Sequence, residues 1–396
     1  MEYRLADRMA SARGSIIREL LKLAGEPGMI SFGGGSPDPN AFPVVEIRRS
    51  VEEILARKPA AMLQYGISEG YPPLRDGLKT YLTKTEGISF EDNEVIVLSG
   101  GQQCADLTAK LFVNQGETVI VESPSFVGCM NAFRSYGGKL LGVRMEEDGV
   151  RLEKLEEAFA QPKISFFYII PTFQNPSGYT TSLEKRRAIY QMAQKYNVLI
   201  FEDNPYGELR FDGEPVPTIK SMDREGRVIY AGSFSKTMAP GLRVGFLVFH
   251  KDLFNKFKIA KQGTDVHSST LFQYVCHEFL SSPAYPLHIA ASCALYKRKS
   301  ALMYEEMKKH FHPAVRFSRP QGGLFLMAWF PEGMDSMPFV QEALKRRVIT
   351  VPGSAFTADP DLPSNGVRLN FSLPSEEQIV TGITLLGELT HELLKS

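Results

Sequence analysis

The sequence predicts an α/β protein whose larger part holds a mostly parallel sheet between layers of helices. Between about residues 95 and 250, short apolar runs alternate with segments whose apolar side chains recur at helical spacing. This alternation is typical of parallel strands that are covered on both faces. The chain has 396 residues, more than one hydrophobic core usually fills, so we expect two domains.

The predicted strands of the large domain are short apolar runs. They span residues 95–98, 118–121, 139–143, 164–170, 198–201, 228–231 and 244–249. After the first run, the apolar side chains at positions 104, 105, 107, 111 and 112 form one face of a buried helix. Ligands of such sheets bind beyond the carboxyl ends of the strands, so the polar residues that follow these runs are candidates for a site.

The two ends of the chain have a different pattern. A long helical pattern near 284–309 is followed by predicted strands near 324–330 and 366–372, with helices near 336–347 and 375–395. We therefore predict an N-terminal arm and small-domain segment (1–45), a large domain (46–285) and a C-terminal small α+β domain (286–396). The arm carries a helix candidate at 15–22 and is expected to pack against the small domain or a partner subunit.

Composition argues against several classes of function. With 45 basic and 45 acidic side chains, no net charge attracts the chain to nucleic acid or to an anionic membrane. The cysteines, at 104, 129, 276 and 293, form no C-x-x-C pair, so we expect reduced core residues and no metal site. No apolar run approaches the length of a membrane span and no leader pattern is seen, so we expect a cytoplasmic protein.

Polar residues follow the predicted strands. Ser99-Gly-Gly-Gln-Gln103 lies between a strand and a helix, where free N–H groups would hold a phosphate. Taken alone, it is better interpreted as a tight turn capped by Ser99. Asn175 begins Asn-Pro-Ser-Gly, which has the composition of a β-turn. Asp203 closes a buried strand, with Tyr206 shortly after it. A carboxylate in that position needs a partner, either the N-terminus of a helix or a cationic ligand.

Lys236 completes this set. It lies in Gly232-Ser-Phe-Ser-Lys-Thr-Met-Ala-Pro-Gly-Leu-Arg-Val-Gly245, between two predicted strands, so we expect it at the end of the sheet. A protonated lysine is a poor nucleophile, but burial or a nearby cation such as Arg243 lowers its pKa and frees its lone pair for imine formation. A lysine, a carboxylate and a phosphate-binding turn at one sheet edge are the groups expected around pyridoxal 5′-phosphate.

With these motifs, the sequence resembles the fold-type I pyridoxal-phosphate aminotransferases, and within them the group of 2-aminoadipate and kynurenine aminotransferases. The similarity covers essentially the whole chain, and S-F-S-K-x-x-x-P-G-L-R-x-G, at 233–245, is a specific motif. The resemblance implies a mostly parallel sheet with one antiparallel strand, a small α+β domain and a homodimer with shared active sites. It also implies transfer of an amino group between an L-amino acid and a 2-oxo acid.

The resemblance assigns roles to individual residues. Lys236 would bind the cofactor as a Schiff base and act as the catalytic base, with Asp203 at the pyridine nitrogen. Tyr206 and Asn175 would hydrogen-bond the ring oxygen, and Phe126 would stack on the ring. The residues expected around the phosphate are Ser233, Ser235, Arg243, Gly101, Gln102 and, from the neighbouring subunit, Tyr65.

The resemblance also implies contacts with the substrate. Arg368, in Gly-Val-Arg-Leu-Asn-Phe-Ser, matches the arginine that binds the α-carboxylate, a task that suits a planar guanidinium; alone it would be interpreted as a strand-edge arginine in an ion pair. Arg18 matches a helix segment whose arginine meets a distal carboxylate, although an exposed helix arginine is an equal alternative. Ser36 occupies a position that is often leucine in the group. The residues expected to border the substrate are Arg368, Asn175, Gly35, Arg18 and Tyr65.

One departure from the group occurs at Gly101. The group often has Ser-Gln where this chain has Gly101-Gln102, so one hydroxyl donor to the phosphate is missing. Because backbone N–H groups still serve as donors, we expect weaker cofactor binding at most.

Alternatives remain for the reaction. A lyase or decarboxylase on the same scaffold is the main one, because cofactor residues do not determine which Cα bond breaks. A pyridoxal-phosphate-binding sensor is less favoured, since too few residues precede the fold to hold a helix-turn-helix. Ser233 and Lys236 also fit the S-x-x-K motif of serine β-lactamases, but no K-T-G occurs and Lys236 follows a strand.

Overall fold

The computed structural model describes residues 3, 19, 20 and 22–394. Within them the strands are β1 (Ile30–Ser31), β2 (Asn93–Leu98), β3 (Thr118–Ser123), β4 (Lys139–Glu146), β5 (Gly149–Val150), β6 (Ile164–Ile169), β7 (Leu199–Asp203), β8 (Val228–Ser233), β9 (Gly245–His250), β10 (Arg316–Phe317), β11 (Phe325–Trp329), β12 (Val348–Ile349), β13 (Val351–Pro352) and β14 (Gly366–Asn370). Each run that the sequence predicts as a strand of the large domain is a strand.

The same residues form α-helices that alternate with these strands in the large domain and flank the sheet of the small one. They are α1 (Val44–Arg57), α2 (Pro59–Leu63), α3 (Pro72–Glu86), α4 (Gly101–Phe112), α5 (Val127–Ser135), α6 (Leu152–Phe159), α7 (Leu183–Tyr196), α8 (Ile219–Met222), α9 (Phe254–Asp265), α10 (Thr270–Leu280), α11 (Ala284–His310), α12 (Met337–Lys345) and α13 (Glu376–Leu394).

The large domain is built on one sheet, which over the described residues has the strand order β2-β9-β8-β7-β6-β3-β4-β5. The pairs from β8 through β7, β6 and β3 to β4 are parallel, whereas β9 is antiparallel to both β2 and β8. The predicted mostly parallel sheet with one antiparallel strand is confirmed. The two-residue β5 adds an antiparallel edge beside β4.

Burial along the strands explains why helices cover both faces of this sheet. In β3, Val119 and Val121 belong to one apolar cluster and Ile120 to another, and all three are fully buried. Successive side chains of a strand point to opposite faces, so a strand that is apolar at every position needs a packed layer on each side. Polar groups are therefore left for the strand ends.

The small domain contains an antiparallel sheet in the order β10-β11-β14-β13, and α11 packs against α13 beside it. β1, from the N-terminal segment, pairs in parallel with β12. The N-terminal segment is thus joined to the small domain by backbone hydrogen bonds at residues 30–31. The domain boundaries near residues 45 and 285 stay a prediction.

The cysteines are all free thiols, buried at Cys104, Cys129 and Cys276 and partly buried at Cys293. Among the helices of the described segment, none combines the length and the apolar character that crossing a membrane requires. The cytoplasmic location stays a prediction.

Candidate active site

An open cavity of about 920 Å³ lies at the carboxyl-end edge of the sheet, where the large and small domains meet. Its lining includes Gly35, Gly101, Gln102, Phe126, Asn175, Asp203, Tyr206, Ser233, Ser235, Lys236, Arg243 and Arg368. The sequence predicts all of these as members of one site, and the fold brings them together although they are spread over more than three hundred residues of the chain.

Lys236 follows the end of β8 and points into this cavity. Its Nζ donates a hydrogen bond to the carbonyl oxygen of Gly35 at 2.7 Å. Desolvation, and then the positive charges of Arg368 and Arg243, lower the pKa of Lys236 to about 8. A larger share of this amine is therefore unprotonated at neutral pH than of an ordinary lysine, which favours nucleophilic and proton-transfer chemistry.

Asp203 ends β7 with its carboxyl group buried beside the cavity. The Tyr168 hydroxyl donates to Oδ2 at 2.8 Å, and the Cys129 thiol lies 3.9 Å from the same oxygen. Burial raises the pKa of Asp203 to about 6, against the lowering effect of these two donors. Among the described residues no hydrogen bond reaches Oδ1, so this oxygen is available to a ligand.

The supports of Asp203 were not among the predicted site residues. Tyr168 lies inside β6, where its hydroxyl must find a partner because the whole side chain is buried. A tyrosine within an otherwise apolar strand is a signal that the sequence does contain. Cys129 carries no comparable signal, because a lone buried cysteine is usually only a core residue.

Arg368 lies in β14 of the small domain, and its side chain is buried at the cavity. Nη1 donates to Asn175 Oδ1 at 2.9 Å, and Nη2 donates to the Gly33 carbonyl oxygen at 2.6 Å. Nε has no hydrogen-bond partner in the part of the chain that the structure describes. The guanidinium lies over the rings of Phe325 and Phe356, 4.4 and 4.8 Å from their centroids.

This environment makes Arg368 a site for an anion. Burial lowers the pKa of Arg368 to about 10, so the group is still charged at neutral pH. A buried charge that no carboxylate of the described residues neutralises is costly unless a ligand supplies the opposite charge. A planar guanidinium can bind a carboxylate through two parallel hydrogen bonds, so a carboxylate is the ligand that suits Arg368.

A second place for an anion is formed by the turn before α4 and the connection after β8. The helix begins at Gly101, so its first N–H groups are free of intrahelical partners. Arg243 has a left-handed backbone (φ 52°), which brings its Nη2 to 3.1 Å from the Ser99 carbonyl oxygen. The Ser233 and Ser235 hydroxyl oxygens lie 3.0 Å apart at the same end of β8.

Two glycines make this arrangement possible. Gly100 has φ 86°, a conformation that favours glycine. Gly245 packs backbone against backbone, because a Cβ added to it would lie 2.9 Å from the carbonyl carbon of Gly100. The close approach of β9 to the turn is thus what allows Arg243, the hydroxyl groups and the helix N-terminus to surround one volume.

The remaining predicted residues divide into those that line the cavity and those that do not. Phe126 forms a wall next to the start of α5, and Tyr206 is buried with its ring edge-on to Phe325 at 5.9 Å. Tyr65 is 82% exposed and contacts His267 instead, at a ring distance of 5.8 Å. Arg18 lies outside the described residues.

These donors fit pyridoxal 5′-phosphate. The turn, hydroxyl groups and Arg243 match the needs of a phosphate dianion. The free oxygen of Asp203 suits a protonated ring nitrogen, and Lys236 supplies an amine of lowered pKa. Arg368, separate from the phosphate cradle, remains for the carboxylate of a second molecule.

Comparison with known proteins gives the same result. Residues 28–384 match the family of class I and II aminotransferases. An aromatic-amino-acid aminotransferase of Thermococcus litoralis is 36% identical over 399 residues, which cover 100% of this chain and 95% of the relative.

Two solved structures are also similar. A kynurenine aminotransferase of Pyrococcus horikoshii in complex with PMP is 37% identical, covers 99% of this chain and 98% of its own, and has a TM-score of 0.95. An alpha-aminoadipate aminotransferase of Thermus thermophilus, complexed with N-(5′-phosphopyridoxyl)-L-leucine, is 35% identical with the same coverage and a TM-score of 0.90. The chain belongs to the class I and II aminotransferases, and is therefore an enzyme that transfers amino groups with pyridoxal 5′-phosphate as its cofactor.

Proposed function

We propose that this enzyme moves an amino group between an L-amino acid and a 2-oxo acid, with glutamate and 2-oxoglutarate as one pair. The other amino acid is 2-aminoadipate or an aromatic or aliphatic one. The convergence of Lys236, Asp203 and Arg368 on one cavity is the main support. The substrate classes follow from the names of the similar proteins, which include aromatic-amino-acid, kynurenine and alpha-aminoadipate aminotransferases.

Lys236 is the residue that moves the proton. When bound, pyridoxal phosphate supplies an electron-withdrawing ring that acidifies the Cα–H bond of the amino acid. Lys236 Nζ would accept the Cα proton as a general base and would then donate it, as a general acid, to C4′ of the cofactor rather than back to Cα. A pKa of about 8 suits both tasks near neutral pH.

Asp203 and Arg368 hold the two ends of the reacting group. Asp203 would place a negative charge next to the ring nitrogen of the bound cofactor, which would favour the protonated ring. Arg368 binds the substrate α-carboxylate and so turns the Cα–H bond toward Lys236, an orientation effect of the kind that accounts for much of enzymatic rate enhancement. Asn175 accepts a hydrogen bond from Arg368 at 2.9 Å. It would thus link the arginine that binds the substrate to the ring of the cofactor.

The other residues bind the cofactor. The phosphate would be held by Ser233, Ser235, Arg243 and the turn at Gly101 and Gln102, which all line the cavity. Phe126 would stack on the ring, and Tyr206 would hydrogen-bond the ring oxygen. Gly35, whose carbonyl oxygen accepts from Lys236, borders the substrate.

We propose a homodimer in which Tyr65 reaches the phosphate of the partner site. Leu63, Tyr65 and Ile67 are 76%, 82% and 48% exposed. Such a row of apolar side chains on one short segment is typical of a surface that another chain covers. Sedimentation of the purified protein tests the dimer, and a monomer at micromolar concentration would contradict it.

Lys236→Ala tests the central role. We expect the loss of all measurable transamination, because the other described lysine that lines the cavity, Lys22, is exposed and paired with Glu19. Normal turnover of this variant would overturn the assignment. A screen of amino donors with 2-oxoglutarate, read as glutamate formation, identifies the substrates; release of pyruvate and ammonia instead would favour a lyase.

Arg18 is proposed to recognise a distal carboxylate. Two neighbours on the same segment, Glu19 and Lys22, line the mouth of the cavity and form an exposed ion pair at 2.8 Å. We expect Arg18→Ala to raise the KM for 2-aminoadipate about tenfold and to leave the KM for leucine unchanged. Equal effects on both substrates would remove Arg18 from the specificity site.

A further inference from the structure

Lys261 forms a buried hub behind the turn that precedes α4. Its side chain is completely inaccessible, and it belongs to α9 rather than to the cavity wall. Its Nζ lies 2.6 Å from Gln103 Oε1, 2.7 Å from the Asp265 carboxylate and 2.9 Å from Ser268 Oγ. An ammonium group so fully desolvated needs all of these acceptors, so the hub is a rigid unit.

The hub holds residues 99–103 at both ends. This segment, called the loop 99–103 below, consists of the turn before α4 and the first residues of that helix. Gln103 Oε1, which accepts from Lys261, also accepts from the Ser99 backbone N–H at 2.7 Å. The Ser99 hydroxyl donates to Asp265 Oδ2 at 2.8 Å, and the Ser99 carbonyl oxygen accepts from Arg243 at 3.1 Å. The direction of the N–H groups at the start of α4 therefore depends on contacts that converge on Lys261.

A strained backbone next to the hub also indicates that this region is held rigidly. Val266 has φ 65°, a backbone conformation that is unfavourable for a β-branched residue. Such a conformation persists only where the surrounding structure fixes it. Asp265 and Ser268, on either side of Val266, are both bound to Lys261.

We infer that Lys261 is a positioning residue that fixes the loop 99–103 for the phosphate of the cofactor, an inference that rests on the proposed role of this loop. Lys261 touches no cavity atom, and Asp265 neutralises its charge. Its effect on the phosphate is therefore geometric. Without Lys261, Ser99 and Gln103 lose their common hydrogen-bond partner, and the free N–H groups at the start of α4 no longer point to the phosphate site.

The test compares pyridoxal 5′-phosphate with pyridoxal, which lacks the phosphate. Lys261→Met keeps the volume of the side chain and removes the hub. We expect its affinity for pyridoxal 5′-phosphate, titrated into the apoenzyme by absorbance, to fall tenfold or more while its affinity for pyridoxal changes less than twofold. An unchanged affinity for pyridoxal 5′-phosphate, or an equal loss for both ligands, would overturn the inference.

Lys220→Met is the matched control. Lys220 is another fully buried lysine, which forms an ion pair with Asp223 at 2.9 Å and donates to the Val228 carbonyl oxygen, away from the loop. We expect Lys220→Met to lower the thermal midpoint of the apoenzyme without changing the ratio of the two affinities. A change in the ratio as large as that of Lys261→Met would show that any buried lysine has this effect, and would overturn the inference.

Two further variants separate the possible failures. Gln103→Met removes the acceptor that Lys261 shares with Ser99 but leaves no buried charge unpaired, so it serves as the test if Lys261→Met does not fold. We expect the ratio of the affinity for pyridoxal 5′-phosphate to that for pyridoxal to fall about threefold.

Arg243→Ala tests the phosphate site itself. If Arg243→Ala lowers the ratio and the hub variants do not, the inference fails alone; if Arg243→Ala also has no effect, the proposed phosphate site is wrong.

Discussion

Glu202 and Asp203 are neighbours at the end of β7, yet they face opposite sides of the sheet and meet different surroundings. Glu202 is fully buried, and its two carboxylate oxygens accept from the backbone N–H groups of Ile219 and Lys220 at 2.9 and 2.7 Å. It therefore caps α8. Asp203 bonds to Tyr168 through one oxygen and keeps the other for the cavity.

The comparison separates a structural carboxylate from one that serves a ligand. Burial raises the pKa of both groups, to about 7 for Glu202 and about 6 for Asp203. A shifted pKa alone does not distinguish them, although perturbed groups are often taken as signs of a functional site. The difference lies in whether the protein itself satisfies every oxygen.

The largest expected effect separates the two residues by activity. Asp203→Asn removes the negative charge beside the cofactor, and we expect kcat/KM to fall about 10³-fold. Glu202→Gln keeps the size of the side chain but replaces one of the two acceptors of the cap by an NH₂ donor. It changes no group in the cavity, so its kcat/KM should stay within about threefold. Steady-state kinetics at saturating cofactor measure both values, and similar losses in the two variants would remove the distinction.

The next effect separates them by the pH dependence of stability. The folded pKa of Glu202, about 7, lies above its ordinary value of 4.5, so the folded state binds this proton more tightly than the unfolded chain. The contribution of Glu202 to stability is complete below pH 4.5 and is lost as the pH rises through 7. It amounts to about 3 kcal/mol.

Urea unfolding of the apoenzyme across this range measures the effect. Glu202→Gln should show a flatter dependence of the unfolding free energy between pH 4.5 and 7.5. Asp203→Asn should flatten a lower window instead, from 3.8 to about 6. The same window for both variants would contradict the pKa difference between the two faces.

The smallest effect concerns Gly101, where the cavity offers space for a donor that the chain lacks. A Cβ at this position would meet only the Ser233 Cβ, at an ordinary distance of 4.0 Å. We expect Gly101→Ser to add one hydrogen bond to the phosphate and to strengthen cofactor binding about threefold. A cofactor titration in which the serine variant binds no better would show that backbone N–H groups already suffice.

The sequence predicted the strand-end groups because one rule places them all. Asn175, Asp203 and Lys236 each follow an apolar run, and the carboxyl ends of parallel strands share one edge. The motif after β8 further indicated Arg243, and the resemblance to a family indicated Arg368. The positions of the strand-end groups needed only chain order and periodicity, whereas the role of Arg368 needed the resemblance.

What could not be predicted depends on packing between distant segments. Lys261 has the sequence context of a helix lysine, which is normally a solvated residue, and only the fold shows that it is buried against Gln103. Likewise the cap formed by Glu202 requires knowledge of where α8 begins in space. Side-chain partners across the fold are set by shape and register, which one-dimensional spacing does not contain.

The antiparallel course of β9 has a consequence for movement. Ser233 and Gly245 are register partners, and the Phe234 N–H donates to the Val244 carbonyl oxygen at 3.1 Å, so the connection that carries Lys236 and Arg243 closes on itself. It therefore fixes the distance between the amine of Lys236 and the predicted phosphate site. Arg368 belongs to the small domain. Any shift of that domain would therefore move the bound carboxylate relative to Lys236, but it would leave the distance between Lys236 and the phosphate site unchanged.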